Sequence, residues 1–474
     1  MSSDLHFMTI AEASALIRTG KLSPVELTKA FLDRIAGLDS QLDSYLMVLG
    51  EQALADAGRA EAEIAAGGWK GPLHGIPIGL KDIYNTAGIR TTGHSALFKD
   101  HVPTEDAVTV ARLRSAGAVV LGKLATWEFA IGGASFDLPW PPARNPWNPL
   151  HEPGGSSSGS GAAVAAGLAM AAMGTDTGGS IRGPASWCGI AGHKPTYGYL
   201  SRRGILPLSF SLDHAGPMCW TSEDCALMMQ VLAGHDPLDA GSANVPIPDF
   251  AAALGGDLSG MRIGVPRHFF ESDVTCEPEI LSAFNGAMDV YRSLGATVTD
   301  IALPHLGLFT DVNSLITAAE GFAIHGDWLR KTPELYGERG RLRIMAGAFV
   351  SAETFVNAQR ERARLVGVVA EAMTSVDLLM MPTRQMVAPV LGGYDSSFGP
   401  SLTRPFNMTG YPALSICNGF NGAGLPISLQ IAGRPFEDHR VLKAGDAFEK
   451  ATNFRKIRPT LSAAGSSPIS VAAN

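Results

Sequence analysis

The sequence lacks an excess of positive charge and any apolar stretch long enough to cross a bilayer. Its 37 basic and 45 acidic residues give a net charge of −8, and no basic run is interleaved with aromatic residues. Because nucleic-acid-binding proteins concentrate positive charge against the phosphates, we expect no nucleic-acid ligand. The longest run of small apolar residues, Ala162 to Met173, is shorter than the roughly 20 residues of a membrane-spanning helix, so no membrane partner is predicted.

Cysteine is also scarce. Only five cysteines occur among 474 residues, and no two of them form a C-x-x-C pair. An odd number of scattered cysteines does not form a disulfide framework, so we expect reduced thiols in a cytoplasmic protein. The N-terminus, MSSDLHFMTI, has no basic region followed by an apolar run, and no secretory signal is predicted. The histidines include no H-E-x-x-H motif, so no metal site is predicted.

Apolar residues are abundant, and their spacing predicts a mixture of helices and strands. A hydrophobic content of 46% over 474 residues is sufficient for a large buried core. Two opening helices are predicted, the second capped by Ser23 and begun by Pro24. AVTVARLRSAGAVVLGKL predicts a helix and a buried strand, and YPALSICNGFNGAGLPISLQIAGRP predicts a hairpin. Without a linker-like break, the pattern predicts one α/β domain over residues 1–460 and a flexible C-terminal tail over 461–474.

Two turns rich in glycine and serine flank an uncharged segment in the first half of the chain. The first, GGSSSGSG, begins at Gly154. The segment before it is rich in proline and tryptophan, and this composition predicts that the segment is an ordered loop. The uncharged segment AAVAAGLAMAAM predicts a buried helix. The second turn, GTDTGGSIRGP, begins at Gly174. We expect such paired turns to form a site from backbone amides and hydroxyl groups.

Three kinds of site compete for these turns. A phosphate cradle is excluded because neither turn carries the lysine of a G-x-x-x-x-G-K-[ST] loop. An α/β-hydrolase is an alternative, because residues 155–159 satisfy G-x-S-x-G with Ser157 as nucleophile. That serine should follow a buried strand, whereas NPWNPLHEP precedes this turn. No histidine is singled out by the sequence to complete a triad.

The third kind of site combines two serines with a lysine. GGSSSGSG from Gly154, the alanine-rich segment and GTDTGGSIRGPA from Gly174 together resemble the signature of the amidase signature family. GIPIGLKDIYN, around Lys81, is similar to the lysine motif of that family. The resemblance extends from the opening helices to about residue 450. It implies an α/β fold with a mixed β-sheet flanked by helices on both faces, and no metal or organic cofactor.

The resemblance also implies the roles of individual residues. Ser180 is expected to attack an amide carbonyl, and Ser156, after a cis peptide bond, and Lys81 are expected to relay its proton. A lysine acts as a base only when it is neutral, and burial among small and apolar neighbours would lower the pKa of Lys81. Ser157 is expected to hydrogen-bond the lysine. The implied oxyanion hole consists of the amides of Thr177, Gly178, Gly179 and Ser180. The residues expected to line the substrate or to hold the second turn are Ile131, Gly132, Asp176 and Arg182.

These roles predict a free-standing amidase that hydrolyses the C–N bond of a small or aryl amide, or of a related hydrazide, through a Ser180 acyl-enzyme. Its predicted partner is the small-molecule amide, and a homodimer is a possible assembly. The alternative is the amidase-type subunit of a tRNA-dependent amidotransferase, which shares the signature. The sequence after EGFAIHGDWL lacks the D-G-V-R-Y-G-like segment expected of that subunit. This absence favours the free-standing amidase.

Overall fold

The computed structural model describes residues 5–255, 257–394 and 399–461. The helices are α1 (Ile10–Arg18), α2 (Pro24–Leu38), α3 (Gly50–Ala65), α4 (Val108–Ser115), α5 (Ser158–Ala165), α6 (Arg182–Cys188), α7 (Ser222–Leu232), α8 (His268–Glu271), α9 (Pro278–Ser293), α10 (Leu306–Lys331), α11 (Glu338–Met345), α12 (Ala352–Ala372), α13 (Arg404–Thr409) and α14 (Asp438–Ala451). The strands are β1 (Tyr45–Val48), β2 (Pro77–Lys81), β3 (Val119–Leu124), β4 (Ala171–Asp176), β5 (Ala191–Lys194), β6 (His214–Cys219), β7 (Arg262–Val265), β8 (Thr297–Asp300), β9 (Leu378–Pro382), β10 (Ala413–Phe420) and β11 (Pro426–Gly433).

The strands form one mixed sheet. Its order is β1-β3-β2-β4-β6-β5-β10-β11-β9-β7-β8. In its centre β2 runs parallel to β3 and β4, while β6 runs antiparallel to β4. Helices cover both faces of the sheet, which confirms the predicted α/β architecture. The domain boundary near residue 460 stays a prediction, and the predicted tail lies outside the described residues except for Leu461.

Several local predictions are confirmed. The Ser23 hydroxyl accepts hydrogen bonds from the N–H groups of Val25 and Glu26 at the start of α2, which Pro24 begins. Helix α4 leads into the buried strand β3, and β10 pairs with β11 as an antiparallel hairpin. Among the described residues, no helix combines the length and the apolar character needed to span a membrane. All five cysteine thiols are free and buried.

The alanine-rich segment differs from its prediction. Instead of one helix, it contributes the end of α5, which stops at Ala165, and the first half of β4, which begins at Ala171. Gly167 adopts a φ of 68°, in the left-handed region that ends helices. Ala171 to Met173 then pair with β2 on one side and β6 on the other. The hydrogen bonds of these two strand pairings satisfy the backbone N–H and C=O groups. They outweigh the high helix propensity of alanine.

The central strands position the candidate site. Lys81 is the last residue of β2 and Asp176 the last residue of the neighbouring parallel strand β4. Because the carboxyl ends of parallel strands meet at the same edge of a sheet, the lysine motif and the second glycine-serine turn lie side by side. Helix α5 begins at Ser158, so the first turn ends beside them.

Candidate active site

Lys81 and Ser156 are in direct contact, as predicted. The Lys81 side chain is fully buried, and its Nζ donates hydrogen bonds to Ser156 Oγ at 2.7 Å and to Thr175 Oγ1 at 2.8 Å. Sequence reasoning did not identify Thr175. The feature that points to Thr175 is its position near the end of β4, which lies beside the end of β2. The pairing of these two strands is known only from the fold.

The environment of Lys81 favours a neutral amine. Burial lowers the pKa of Lys81 to about 7, and the opposing attraction of Asp213 and Asp176 is weaker. The carboxylate of the neighbouring Asp82 accepts hydrogen bonds from the N–H and hydroxyl of Thr92 and none from Lys81. The direction of this change in the pKa of Lys81 is the one expected from its buried surroundings.

Ser156 lies in a tightly packed turn. The peptide bond between Gly155 and Ser156 is cis, as the resemblance implies. A side chain at Gly155 would collide with the indole of Trp127. The backbone N–H of Trp127 donates to the Ser156 carbonyl at 3.0 Å. Glycine at position 155 therefore lets Trp127 pack directly against the turn that presents Ser156.

Ser157 forms no hydrogen bond with Lys81, in contrast to its predicted role. Its Oγ donates to the Thr175 carbonyl and accepts from the Thr175 N–H, both at 3.2 Å. The side chain is turned towards the main chain of β4, and the hydroxyl of Thr175 occupies the predicted position beside Lys81. The same geometry disfavours an α/β-hydrolase, because Ser157 is buried and follows a loop rather than a strand.

Ser180 lies next to this turn and opens onto a cavity. Its carbonyl accepts a hydrogen bond from Ser157 N–H at 3.2 Å, which holds the two turns together. The cavity has a volume of about 220 Å³. The predicted residues that line it are Ile131, Gly132, Thr177, Gly178, Gly179 and Ser180. Within the described ranges, no group of three or more His, Cys, Asp or Glu side chains is placed to hold a metal ion.

Asp176 and Arg182 hold the second turn, as predicted. The Asp176 carboxylate accepts hydrogen bonds from the N–H groups of Gly179 at 2.7 Å and Ile181 at 3.1 Å. It also forms a bidentate ion pair with Arg182, at 2.9 and 3.0 Å. Burial is the largest single influence and would raise the pKa of Asp176. The charge and hydrogen bonds of Arg182, with smaller contributions from neighbouring groups, together outweigh it and hold this pKa below its ordinary value.

Residues from the C-terminal third complete this network. Arg182 also donates to the side-chain oxygens of Gln430 and Asn407, each at 2.6 Å. Asn407 in turn donates to the Asp176 carboxylate at 2.8 Å. These partners lie more than 220 residues away in sequence, so no local motif could have identified them.

The four amides predicted to form the oxyanion hole are not equivalent. The N–H of Gly179 donates a hydrogen bond to the Asp176 carboxylate. It therefore anchors the turn, whereas the prediction made it an oxyanion donor. In the part of the chain that the structure describes, the N–H groups of Thr177, Gly178 and Ser180 have no protein acceptor. Three donors are thus left beside the cavity.

Comparisons with known proteins agree on the family. The Amidase family profile matches residues 26–442. The A subunit of the glutamyl-tRNA(Gln) amidotransferase from Roseiflexus sp. (strain RS-1) is 42% identical over 485 residues, covering 96% of this chain and 99% of that protein. The crystal structure of the corresponding Thermotoga maritima protein is similar with a TM-score of 0.80 and 32% identity, covering 95% of this chain and 96% of that chain. The peptide amidase of Stenotrophomonas maltophilia gives a TM-score of 0.84 and 31% identity, covering 95% and 98%.

These relatives correct two predictions. The expectation of a free-standing amidase is wrong, because the similarity to a component of an amidotransferase spans nearly the whole chain. The expectation of a small-molecule amide as partner and of no nucleic acid is wrong for the same reason. The missing D-G-V-R-Y-G-like segment is a local difference, and it weighs less than 42% identity over 485 residues. By profile and by full-length similarity, the chain belongs to the amidase signature family of hydrolases and amidotransferases.

Proposed function

We propose that this chain is the amide-cleaving component of a tRNA-dependent amidotransferase, in which it releases ammonia from an amide donor. The observation that carries the proposal is its 42% identity to the A subunit of a glutamyl-tRNA(Gln) amidotransferase over 99% of that protein. The hydrogen-bonded pair of Lys81 and Ser156 beside the Ser180 turn supports amide cleavage as its chemistry. A role in tRNA-dependent amide formation would be carried out in the cytoplasm. A single domain over residues 1–460 is supported by the one sheet, whose strands extend from Tyr45 to Gly433.

In the first half of the proposed reaction, Ser180 becomes acylated. Neutral Lys81 accepts the proton of Ser156 while Ser156 accepts that of Ser180, and Ser180 Oγ bonds to the amide carbon. The carbonyl oxygen becomes an oxyanion, which accepts hydrogen bonds from the N–H groups of Thr177, Gly178 and Ser180. Gly179 supports this hole indirectly, because its N–H anchors the turn to the Asp176 carboxylate.

In the second half, the leaving group and the acyl group depart separately. The relay returns a proton from Lys81 through Ser156 to the amide nitrogen, the C–N bond breaks and ammonia leaves. Water then attacks the Ser180 ester and gives a proton through Ser156 to Lys81. The bond between the acyl carbon and Ser180 Oγ breaks, the relay returns the proton to Ser180 Oγ, and the carboxylic acid is released. The ammonia is consumed by an activated carboxyl group on tRNA, held by another protein of the complex.

Transfer of an isotope label tests the proposal. The chain is purified with its associated proteins under mild conditions and supplied with glutamyl-tRNA, with ATP and Mg²⁺ to activate the carboxyl group on the tRNA, and with glutamine labelled with ¹⁵N in its amide. We expect ¹⁵N to appear in the tRNA-bound amino acid. Ser180→Ala should abolish transfer from glutamine, while free ¹⁵N-ammonium should restore it, because ammonium bypasses the amide-cleaving step.

Two outcomes would contradict the proposal. One is transfer from glutamine that persists in Ser180→Ala, since the ammonia would then come from elsewhere. The other is a chain that purifies without other proteins and supports no transfer to tRNA from either nitrogen source.

A further inference from the structure

The pairing of strands β4 and β6 extends beyond its last residues into a side-chain contact. The two strands are antiparallel, and the last pair of their register joins Asp176 to His214. Thr177 follows β4 and Asp213 precedes β6, and the Thr177 hydroxyl donates to the Asp213 carboxylate at 2.6 Å. His214 Nδ1 lies 3.2 Å from the Asp176 carbonyl oxygen. Two adjacent residues therefore hold the end of β4, one through a side chain and one through the main chain.

The position of Thr177 determines the direction of two amide donors beside the Ser180 cavity. Its Cα joins the peptide that carries the Thr177 N–H to the peptide that carries the Gly178 N–H. The Thr177 carbonyl, in the second of these peptides, accepts a hydrogen bond from Asn313 Nδ2 at 3.1 Å. Within the described ranges, neither N–H has a protein acceptor. A contact that holds the Thr177 side chain therefore helps to aim both donors into the cavity.

Asp213 is itself held in place. Its second carboxylate oxygen accepts hydrogen bonds from the N–H groups of Leu208 at 2.8 Å and Ser209 at 2.9 Å. The Asp213 N–H donates to the Ser209 carbonyl at 3.0 Å. Burial raises the pKa of Asp213, but the hydrogen bonds from Thr177, Ser209 and Leu208 oppose this change and favour the carboxylate. Asp213 is thus a fixed anchor for the Thr177 hydroxyl.

The charge of Asp213 also acts on Lys81. Burial is the largest influence on Lys81 and lowers its pKa to about 7, and among the charges that favour the ammonium Asp213 comes first, ahead of Asp176. Asp176 is balanced by Arg182 at 2.9 Å. The hydrogen-bond donors to Asp213 are a hydroxyl and two N–H groups, none of which carries a charge. Its negative charge is therefore available to the ammonium that forms when Lys81 accepts a proton.

Other charged groups near these residues are paired or neutral. Asp82 lies 3.5 Å from the Lys123 ammonium. Arg202, whose charge acts on the Asp213 carboxylate, lies 3.3 Å from Asp239. Burial lowers the pKa values of two further groups well below their ordinary values and keeps them neutral near pH 7, namely His214 and Lys194.

We infer that Asp213 is a positioning residue for amide cleavage: it anchors Thr177, which aims the N–H groups of Thr177 and Gly178 at the oxyanion, and it supplies the negative charge that favours proton uptake by Lys81. One carboxylate would then support both the oxyanion hole and the base. The inference rests on the proposed function, in which Ser180 attacks an amide carbonyl. It adds a residue that touches neither the amide donor nor the proton relay.

The pH dependence of Ser180 modification tests this inference. A fluorophosphonate places a phosphoryl oxygen where the oxyanion forms, and its reaction with Ser180 requires the base. The rate of labelling is measured against pH on the full chain, which gives a plateau rate and an acid limb for each variant. The plateau reports the oxyanion donors and the relay, whereas the acid limb reports the charges that act on Lys81.

Substitutions at the two residues separate the contact from the charge. Thr177→Val keeps the shape but removes the hydroxyl, so the plateau rate should fall about tenfold while the acid limb stays in place. Thr177→Ser restores the hydroxyl and should recover most of this loss. Asp213→Asn keeps a hydrogen-bonding side chain but removes the charge, so the acid limb should move to lower pH, because the Lys81 ammonium loses an attraction. A purely structural role for Asp213 would not move the acid limb.

The control is Asp33→Asn, since Asp33 is exposed on α2 and pairs with Lys29. It should change neither the plateau nor the acid limb. Thermal unfolding shows that each variant is folded, and the Thr177 variants test the contact even if Asp213→Asn does not fold. An unchanged acid limb in folded Asp213→Asn, an unchanged plateau in Thr177→Val, or no recovery in Thr177→Ser would overturn the inference.

Failure of the inference is distinguishable from failure of the proposed function. Labelling that responds as expected to these substitutions, without nitrogen transfer to tRNA in the purified complex, would overturn the proposed function and support the role of Asp213. Transfer from glutamine that requires Ser180, together with labelling that is insensitive to the substitutions at Thr177 and Asp213, would overturn the inference alone.

Discussion

At the scale of single residues, the proposed chemistry depends on a lysine that is neutral near pH 7. Full burial removes the ammonium from water, and two hydroxyl groups, those of Ser156 and Thr175, are its hydrogen-bond partners. Burial lowers the pKa of Lys81 to about 7. A side chain that would be a poor base on the surface is therefore able to accept a proton at neutral pH.

Replacing Lys81 tests this role. Lys81→Met keeps most of the buried volume but removes the amine, so we expect ammonia release to fall by about 10²- to 10⁴-fold, the usual contribution of general-base catalysis. Lys29→Met, on the exposed surface of α2, is the control and should retain full activity. Retention of more than about a tenth of wild-type activity by a folded Lys81→Met would be incompatible with the relay.

The pH dependence of the wild-type protein follows from the same pKa. Only the neutral amine accepts a proton, so kcat/KM should rise with pH and level off above the pKa of Lys81, about 7. The measurement is ammonia release against pH at low donor concentration. An acid limb near the ordinary lysine value of about 10.4 would show that burial does not control this group.

Thr175 was not predicted from the sequence, and it provides a finer test. Thr175→Val preserves shape and removes the hydroxyl that accepts a hydrogen bond from Lys81. The loss of an acceptor disfavours the ammonium, so the acid limb should move to lower pH, and poorer orientation should reduce kcat by about tenfold. An unchanged acid limb and an unchanged kcat would mean that this contact has no part in the relay.

At the scale of elements, the turn between β4 and α6 is held by a buried network around Asp176 and Arg182. Asp176→Asn removes the negative charge that balances Arg182 and should lower the free energy of unfolding by about 3–5 kcal/mol. The pKa of Asp176 is lowered in the folded state. Its contribution is therefore present above the unfolded pKa of about 4 and is lost as pH falls below it.

Urea unfolding of wild type and Asp176→Asn at several pH values checks this prediction. The difference in unfolding free energy should be large at pH 7 and should shrink below about pH 4. A difference that does not vary with pH would show that the charge of Asp176 is not what holds the turn.

The close approach of Trp127 to Gly155 makes a second prediction at this scale. Gly155→Ala should destabilise the protein by about 1–3 kcal/mol, because the new methyl group collides with the indole. Gly58→Ala is the matched control, since Gly58 lies within α3 with no neighbour near the added methyl group. It should be neutral or stabilising by up to about 1 kcal/mol. Equal unfolding midpoints for the two variants would contradict the packing described for Gly155.

At the scale of the whole molecule, the sequence predicts the class of fold and the contact between Lys81 and Ser156 better than it predicts the supporting contacts. The glycine-serine turns and the lysine motif are short and dense, so they identify Lys81 and Ser156 without knowledge of the sheet. Asn407 and Gln430 hold the second turn from a distant part of the chain, and Arg384 reaches the cavity from the end of β9. Such contacts are determined by the strand order, which has no local signal.

The same limit explains the error about the alanine-rich segment. Its composition favours a helix, and its first residues do end α5. The pairing of its last residues with β2 and β6 depends on strands that lie far away in sequence. Local propensity is a weak predictor where a segment is buried in the centre of a sheet.

Covalent labelling of the full chain tests the central claim, that Ser180 is a nucleophile activated through Ser156 and Lys81. The protein is treated with a fluorophosphonate, and the modified peptide is identified by mass spectrometry. The account predicts a single adduct on Ser180, no adduct in Ser180→Ala, and labelling at least about a hundredfold slower in Lys81→Met. An adduct on Ser157 or on a cysteine, or labelling of Ser180 at an unchanged rate in Lys81→Met, would contradict it.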